Sequence, residues 1–213
     1  MNKKIKIVLV DDHAVVRAGV KRLLEQEALF DVIGEAESGE KAYQLFGELN
    51  PDIMVMDLSM PGMGGLETMR RILMRYEKAK ILVLSMHEDL SFANQALKLG
   101  AKGYLIKNTL GDDLVKSIQA LSKGEVFLSD EIAKKIAMQS IDGDQDPIDT
   151  LSAREFEIFR LLAEGLEMDA IATTLNISSK TVSNYQTMIK QKLNIHTPVE
   201  LIRYAIKAGV IKN

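Results

Sequence analysis

The chain has 213 residues, of which 46% are apolar, and it carries a formal net charge of −3. This length fits one large domain or two small ones, since domains usually span roughly 100–200 residues. Because the sequence contains no Cys, it has no disulfide framework and no thiolate metal site. No apolar run approaches the ~20 residues of a membrane span, and no signal peptide precedes the first strand-like run. We therefore expect a soluble, cytoplasmic protein.

The charge is distributed unevenly along the chain. Residues 1–150 contain 19 Lys and Arg against 24 Asp and Glu, whereas residues 151–213 contain 8 against 6. From Asn176 onward there are six basic residues and a single acidic one, Glu200. A basic C-terminal part indicates a domain that meets a polyanion, although an ordinary solvated helix face is also often basic.

Five short apolar runs alternate with helical stretches in the first half of the chain. They are typical of strands buried on both faces: Ile5–Val10, Val32–Ala36, Ile53–Met56, Ile81–Ser85 and Gly103–Ile106. The stretches between them carry apolar stripes at helical spacing, of which Val16, Val20 and Leu24 form the first. This alternation predicts an α/β fold with an open five-stranded parallel sheet, doubly wound with helices on both faces. In such sheets the functional site lies at the carboxyl ends of the strands.

The pattern changes after Gly124. Ser129–Met138 predicts one more helix, and Asp142–Pro147 is rich in Asp and Gly, as is typical of a flexible linker. A capping box of Ser152 and Glu155 predicts the start of a new helix. We place the first domain at residues 1–127, the linker at 128–149 and the second domain at 150–213.

Polar residues follow the predicted strands at the edge where the site is expected. They are Asp11 and Asp12 after strand one, Asp57 after strand three, Ser85 after strand four and Lys107 after strand five. Three converging carboxylates favour a hard divalent cation such as Mg²⁺. A metal there can neutralise a phosphoryl group that arrives at one carboxylate, while a lysine and a hydroxyl bind its oxygens. Each residue alone has a simpler explanation, such as capping of the next helix, so the hypothesis depends on all five.

The second domain contains four predicted helices: Ser152–Glu164, Met168–Leu175, Lys180–Leu193 and Val199–Ala208. The third has an apolar inner stripe and an outer face of amide, hydroxyl and ammonium groups without acidic residues. Two helices joined by a short turn, the second polar outside, form a helix-turn-helix. Such a face can read base edges and touch phosphates, and a merely solvated helix is the alternative. No metal-ligand spacing surrounds His13 or His87, and His196 is expected to be a surface or capping residue, so we predict no zinc site.

Two sets of motifs resemble known domains. Val8–His13, Met56–Gly62 and Gly103–Lys107 resemble the bacterial response-regulator receiver domain. Leu151–Glu155, Leu161–Leu166, Ile177–Val182 and Lys192–Leu193 resemble the LuxR-type helix-turn-helix. Together they are similar to the NarL/FixJ class of two-component response regulators. The segments around His196 and Glu200 resemble its GacA/UvrY branch.

For the first domain the resemblance implies a flavodoxin-like receiver. Asp57 would accept the phosphoryl group from a partner sensor histidine kinase, assisted by Ser85 and Lys107. Asp11, Asp12, Asp57 and the backbone carbonyl of Ser59 would hold Mg²⁺, while Ser85 and Tyr104 would form the switch pair. The protein would catalyse only its own phosphorylation and dephosphorylation, and would not be an enzyme for an outside substrate.

For the all-α second domain the resemblance implies binding to double-stranded operator DNA. The implied contacts are Lys180, Thr181, Ser183, Asn184 and Thr187. The flanking Lys190 and Lys192 are expected to contact phosphates. Because one such domain makes few contacts, we expect the phosphorylated protein to bind as a homodimer.

Two other functions are compatible with parts of the sequence. A haloacid-dehalogenase-like phosphatase also uses an aspartate at a strand end, but it places a second acid two residues later, where this chain has Ser59. No Gly-rich phosphate loop follows the first strand, because Asp11–His13 occupies that position. An RNA-binding output domain would more often present exposed aromatic residues, and the third helix offers only Tyr185, on its inner stripe.

Overall fold

The structure is a computed structural model that describes residues 3–86, 90–109, 111–142 and 146–211. The chain divides into two compact units. One comprises Met1–Glu88 and Ala96–Glu131, and the other comprises Asp89–Gln95 and Ile132–Asn213. No helix in the described part of the chain is long and apolar enough to cross a membrane.

The first unit is built on a parallel sheet in the order β2-β1-β3-β4-β5-β6. The strands are β1 (Ile5–Val10), β2 (Phe30–Ala36), β3 (Ile53–Asp57), β4 (Ile81–Ser85), β5 (Gly103–Ile106) and β6 (Phe127–Leu128). Five of them were predicted. The sixth was missed because two residues are too short to show any periodicity, and it pairs with β5 through Gly103 and Phe127.

The helices that alternate with these strands are α1 (Ala14–Glu25), α2 (Gly39–Leu49), α3 (Gly65–Arg75), α4 (Leu90–Leu99) and α5 (Asp112–Lys123). Apolar residues of α1 and α5 form one core with alternate residues of the strands, such as Ile7, Leu9 and Val55. Strand order reverses between β1 and β3. The carboxyl ends of these two strands therefore flank the crevice where α/β sheets bind ligands.

The remaining helices are α6 (Asp130–Asp142), α7 (Ala153–Ala163), α8 (Met168–Thr174), α9 (Ser179–Leu193) and α10 (Pro198–Lys207), with a 3₁₀ turn at Pro147–Thr150. The four predicted helices of the second domain are confirmed within two residues at each end, and α6 confirms the helix expected from Ser129 onward. Three residues of the expected linker, 143–145, lie outside the described residues. The domain boundaries stay a prediction.

Local sequence accounts for the ends of the C-terminal helices. The capping box that was predicted at Ser152 and Glu155 is present at the start of α7, and a second one, Thr197 and Glu200, starts α10. Asn194 ends α9 in the left-handed conformation, with a φ of 52°. Each of these side chains or backbones satisfies polar groups that a helix end leaves open.

Candidate functional site

Four charged side chains meet at the carboxyl end of the sheet and form what we call the acidic pocket: Asp11, Asp12, Asp57 and Lys107. Lys107 Nζ lies 2.7 Å from Asp11 Oδ2 and 3.0 Å from Asp57 Oδ2. The side chain of Asp57 is only 2% exposed. Asp57 ends β3, whereas Asp11 directly follows β1 and Lys107 directly follows β5. These strands are far apart in sequence, so the parallel sheet brings the three residues together.

Burial and pairing set the protonation of the pocket. Burial raises the pKa of Asp57 above its ordinary value and outweighs the opposing effect of Lys107. Burial lowers the pKa of Lys107, but its bonds to Asp11 and Asp57 outweigh this effect, and the pKa is raised overall. Three carboxylates against one ammonium leave an excess of negative charge, which costs folding free energy until a cation arrives.

The oxygens of the pocket fit a divalent cation. Among the described residues, Asp12 Oδ1 and Asp57 Oδ1 are buried without a hydrogen-bond partner. One ligand atom each from Asp11, Asp12, His13 and Asp57 lies within 4.8 Å of the others. Buried oxygens without partners normally cost stability. Carboxylate ligands are those that Mg²⁺ prefers, so the residues present fit the expected ion.

The three remaining residues of the expected site lie on the neighbouring strands and loop. Ser59 follows Asp57 by two positions, and its backbone forms a hydrogen bond with the Asp57 carboxylate. Ser85 ends β4, and Tyr104 lies on β5; both are fully buried. Ser85 is paired in register with Ile106, and Tyr104 with Val83.

Gly65 holds the end of β3 against the start of α3. Its N–H donates to Leu58 O at 3.1 Å. A Cβ at this position would lie 2.3 Å from Asp57 O and 2.5 Å from Leu58 Cα, closer than any real contact. Only glycine permits this approach.

Sequence reasoning missed two further residues beside the pocket. Arg17 reaches back from α1 to donate to Asp11 O at 2.5 Å and to Glu35 Oε2 at 3.3 Å, which ties the end of β1 to β2. His13 places Nδ1 2.9 Å from Asp12 Oδ1. Its position directly after two aspartates was the available signal.

The second unit presents the expected groove-reading residues on one side of α9. Lys180, Ser183, Asn184 and Thr187 are all exposed, and we call them the α9 polar face. They share one side of the helix, because residues three and four positions apart are neighbours on its surface. Val182, Ile189 and Leu193 are buried on the opposite side.

The start of α9 is fixed by the short turn from α8. Ser178 caps the helix by accepting from Thr181 N at 3.1 Å, and its hydroxyl bonds that of Thr181. Asn176 takes a left-handed φ of 52°, which lets the chain reverse between the two helices. The geometry matches a helix-turn-helix.

Lys192 takes part in an ion pair within the second unit. Lys192 Nζ lies 2.6 Å from Glu155 Oε2, whose side chain is 2% exposed, and 3.3 Å from Thr150 O. Burial alone would raise the pKa of Glu155, but bonds from Lys192 and Ser152 outweigh it, and the pKa is lowered. No sequence pattern predicted this ion pair.

The comparisons with known proteins agree with this geometry. Residues 7–119 match the family model described as the response regulator receiver domain, and residues 149–205 match that of bacterial regulatory proteins of the luxR family. The response regulator UvrY of Escherichia coli K12 is 36% identical over 97% of this chain and 95% of its own length.

Two solved structures of RcsB are also similar. RcsB from Salmonella enterica serovar Typhimurium, bound to promoter P1flhDC in the presence of the phosphomimetic BeF₃⁻, is 30% identical. It covers 95% of this chain and 98% of its own, with a TM-score of 0.73. A structure of two RcsB dimers bound to two parallel DNAs is 29% identical, with the same coverages and a TM-score of 0.63.

A receiver fold with an acidic pocket, followed by a helix-turn-helix, defines a regulator that receives a signal and acts on transcription. The chain belongs to the two-component response regulators with a LuxR-type DNA-binding domain, in the NarL/FixJ class that includes the GacA/UvrY branch. It is a transcription regulator rather than an enzyme for an outside substrate. Receiver domains of this family bind Mg²⁺ at the acidic pocket.

Proposed function

We propose that phosphorylation of Asp57 by a partner sensor histidine kinase controls the binding of this protein to operator DNA. The observation that carries the proposal is the state of the Asp57 carboxylate. It is buried, one oxygen lies 3.0 Å from Lys107, and the other has no hydrogen-bond partner among the described residues. An oxygen with no partner keeps its lone pairs available for an incoming phosphorus atom.

The chemistry is a transfer between two covalent carriers. An oxygen of Asp57 attacks the phosphorus of the kinase's phosphohistidine, the P–N bond breaks, and the imidazole leaves with the electron pair. Lys107 stabilises the negative charge on the phosphoryl oxygens, and the Ser85 hydroxyl donates a hydrogen bond to one of them. In dephosphorylation water attacks the phosphorus, the P–O bond to Asp57 breaks, inorganic phosphate leaves, and Asp57 regains its carboxylate. Both steps belong to the protein's own cycle.

Asp11, Asp12, Asp57 and the carbonyl of Ser59 would hold Mg²⁺. When bound, the ion supplies positive charge that offsets the negative charge of the phosphoryl group and the carboxylates. Asp11 shares Lys107 with Asp57, and Arg17 fixes the Asp11 backbone. These contacts position the ligands before any ion arrives.

Ser85 and Tyr104 couple the pocket to the rest of the receiver in this proposal. Ser85 would turn toward the phosphoryl group, and Tyr104 would respond to the space that Ser85 leaves. Both are completely buried, so movement of one requires repacking around the other.

The α9 polar face would enter the major groove. Lys180, Ser183, Asn184 and Thr187 would contact base edges, and Thr181 and Lys190 would contact the backbone. Lys192 was expected at a phosphate as well. Its ammonium donates a hydrogen bond to Glu155. Lys192 could therefore contact a phosphate only if its ammonium bound Glu155 and the phosphate at the same time.

The active form would be a homodimer on a pseudo-palindromic operator. A single helix-turn-helix buries limited surface, and two are generally needed for useful affinity. The dimers in the RcsB–DNA structure support this stoichiometry for a relative. Beryllofluoride should raise the mass measured by light scattering, and Asp57→Asn should abolish the increase. An unchanged monomer on its operator would contradict the proposed dimer.

The phosphorylation site can be tested by intact-mass spectrometry with acetyl phosphate and Mg²⁺. The wild type should gain one phosphoryl group, and Asp57→Asn should gain none. Asp52→Asn is a matched control, because Asp52 is an exposed aspartate at the opposite end of β3, and it should be labelled like the wild type. Labelling of Asp57→Asn, or labelling with the metal chelated, would overturn the proposal.

A further inference from the structure

The amino end of the sheet carries a cluster of positive charge, although the chain as a whole has a net charge of −3. The segments that precede β1, β3 and β4 meet there and line a groove with a volume of about 370 Å³. We call it the lysine groove. Its described lining residues include one carboxylate, that of Asp52, and four lysines: Lys3, Lys4, Lys78 and Lys80. The lysine groove therefore has an excess of three positive charges.

The contacts of these residues leave that excess in place. Lys80 Nζ donates to a neutral partner, the carbonyl oxygen of Ser122, at 2.8 Å. The Asp52 carboxylate accepts from the backbone N–H of Lys6 at 2.8 Å. None of the ion pairs formed by lysines in the described part of the chain includes a lysine of this groove. Because like charges repel one another, a bound anion would relieve the repulsion and be attracted by the local field.

A second groove, with a volume of about 450 Å³, continues from the lysine groove. The two are continuous because they share five lining residues: Asn50, Pro51, Asp52, Lys78 and Lys80. Volumes of this size lie within the range of roughly 300–1,000 Å³ that is usual for small-molecule sites. We call the second groove the tyrosine groove, because Tyr76 contributes to its wall.

The tyrosine groove offers flat and apolar surfaces next to the lysines. The Arg75 guanidinium lies 5.5 Å from the centroid of the Tyr76 ring, and it donates to the Tyr43 hydroxyl at 3.4 Å. Met74 also lines the groove, and its side chain is left 72% exposed. Nucleobases stack on aromatic rings and on guanidinium planes. A base is therefore a ligand that fits this end of the site.

We propose that the two grooves form one binding site for a nucleotide, with the oligophosphate in the lysine groove and the base in the tyrosine groove. The several negative charges of an oligophosphate complement the excess positive charge of the lysines, which donate charge-assisted hydrogen bonds to phosphate oxygens. The site lies at the end of the sheet opposite to the acidic pocket. It therefore does not depend on the proposed function, and it requires no phosphorylation of Asp57.

The first test is calorimetric titration of the full-length protein with ATP and, separately, with inorganic tripolyphosphate, both in the presence of a chelator. ATP should bind at least about fivefold more tightly, since stacking of one base on an aromatic side chain contributes that factor or more. The affinity for both ligands should fall as the salt concentration rises, because the lysines are exposed to screening.

The double variant Lys4→Gln with Lys78→Gln should weaken the binding of both ligands by about tenfold, since two exposed charge contacts are lost. Lys41→Gln is the matched control. It removes the same charge from the first turn of α2, which follows the carboxyl end of β2, and it should bind both ligands like the wild type. Asp52→Asn should bind both ligands more tightly, because it removes the carboxylate of the lysine groove.

The second test locates the ligand by backbone ¹H–¹⁵N spectra. The amide signal of Lys78 should shift with both ligands, whereas that of Tyr76 should shift more with ATP. Three results would overturn the inference: ATP binding no tighter than tripolyphosphate binding, equal ATP affinity in the double variant and in Lys41→Gln, or shifts at α9 in place of the two grooves. Failure of the proposed function would look different, since Asp57 would then not be labelled by acetyl phosphate, whatever the ATP titrations show.

Discussion

The acidic pocket and the α9 polar face, the two sites of the proposed function, are built in opposite ways. The pocket joins residues as far apart as Asp11 and Lys107, 96 positions along the chain, and buries their charges. The face takes four exposed residues from two turns of one helix. Residues in contact influence one another's free energies, whereas separated ones add independently. We therefore expect changes in the pocket to be large and interdependent, and changes on the face to be graded and, for residues about two turns apart, additive.

Gly65→Ala is the sharpest test of the pocket and should have the largest effect. The new Cβ would lie 2.3 Å from Asp57 O, so the β3 end and the start of α3 must separate. A displacement of about 1 Å at a reacting group costs on the order of a hundredfold in rate. The rate of labelling by acetyl phosphate, followed by mass spectrometry, should fall by about this factor.

Gly19→Ala is the control for that substitution. Gly19 lies inside α1, and a Cβ there would meet nothing within 4 Å. Alanine favours a helix interior by about 0.5–1 kcal/mol relative to glycine. This variant should be slightly more stable and should be labelled at the wild-type rate. Equal slowing in both variants would show that the approach of Gly65 to Asp57 does not matter.

Asn184→Ala tests the face, and its effect should be the next largest. A side chain matched to a base edge contributes roughly 1–3 kcal/mol of discrimination, or on the order of tenfold to a hundredfold in affinity. Operator affinity should fall by that factor, with little change on random DNA. The measurement is a pair of binding isotherms on operator and scrambled duplexes.

The additivity of the face can be examined with Lys180→Ala. The double variant with Thr187→Ala, which lies about two helical turns from Lys180, should lose the sum of the two single free-energy losses within about 0.5 kcal/mol. If Asn184→Ala lost the same affinity for operator and random DNA, or lost affinity for neither, the proposed position of α9 in the major groove would be wrong.

The same contrast explains what could be predicted from the sequence. The pocket residues were found because each ends an apolar strand, and parallel strands bring their carboxyl ends to one edge. The α9 face was found because helical spacing separates Val182 and Ile189 from Asn184. Periodicity carries both predictions, so the fold and the clustering of these residues could be derived, while their functional roles stay a prediction.

Contacts that depend on tertiary geometry could not be derived in this way. The approach of Gly65 to the Asp57 backbone requires the position of α3, which no local pattern encodes. The ion pair of Lys192 and Glu155 joins residues 37 positions apart on two different helices. The position of His13 toward the carboxylates depends on how α1 begins, and strand β6 was too short to detect.

Lys192→Ala should destabilise the DNA-binding domain, in contrast to the additive losses on the α9 polar face. Removing the ammonium leaves Glu155 buried without its partner, and we expect a loss of roughly 1–2 kcal/mol, since Lys192 is partly exposed. The loss should be full above the ordinary carboxyl pKa. It should shrink as the pH falls through the lowered pKa of Glu155. Chemical denaturation at several pH values measures it.

Lys190→Ala is the matched comparison, since it removes a lysine from the same helix two positions away. It should change stability by less than about 0.5 kcal/mol. It should weaken binding to operator and to random DNA equally. It should also reduce the dependence of the affinity on salt concentration by about one released counterion, as expected for a phosphate contact. If Lys192→Ala behaved in the same way at unchanged stability, Lys192 would be a phosphate contact after all.

The smallest expected effect is a gain in stability on removing the carboxylate of Asp57. Burial raises the pKa of Asp57, so its ionised form at neutral pH opposes folding, and Asp57→Asn should stabilise the metal-free protein by roughly 1 kcal/mol or less. A carboxyl whose pKa is raised on folding contributes stability at low pH and loses it as the pH rises through that value. The advantage of the variant should therefore shrink as the pH falls.

Mg²⁺ should raise the Tm of the wild type more than that of Asp57→Asn, because an ion bound by the native carboxylates stabilises the folded state. Thermal unfolding with a chelator and with Mg²⁺ measures both effects. If Asp57→Asn were less stable than the wild type in the chelator, the attraction between Lys107 and Asp57 would outweigh the cost of burying the Asp57 carboxylate. The negative charge of the pocket would then not destabilise the metal-free protein.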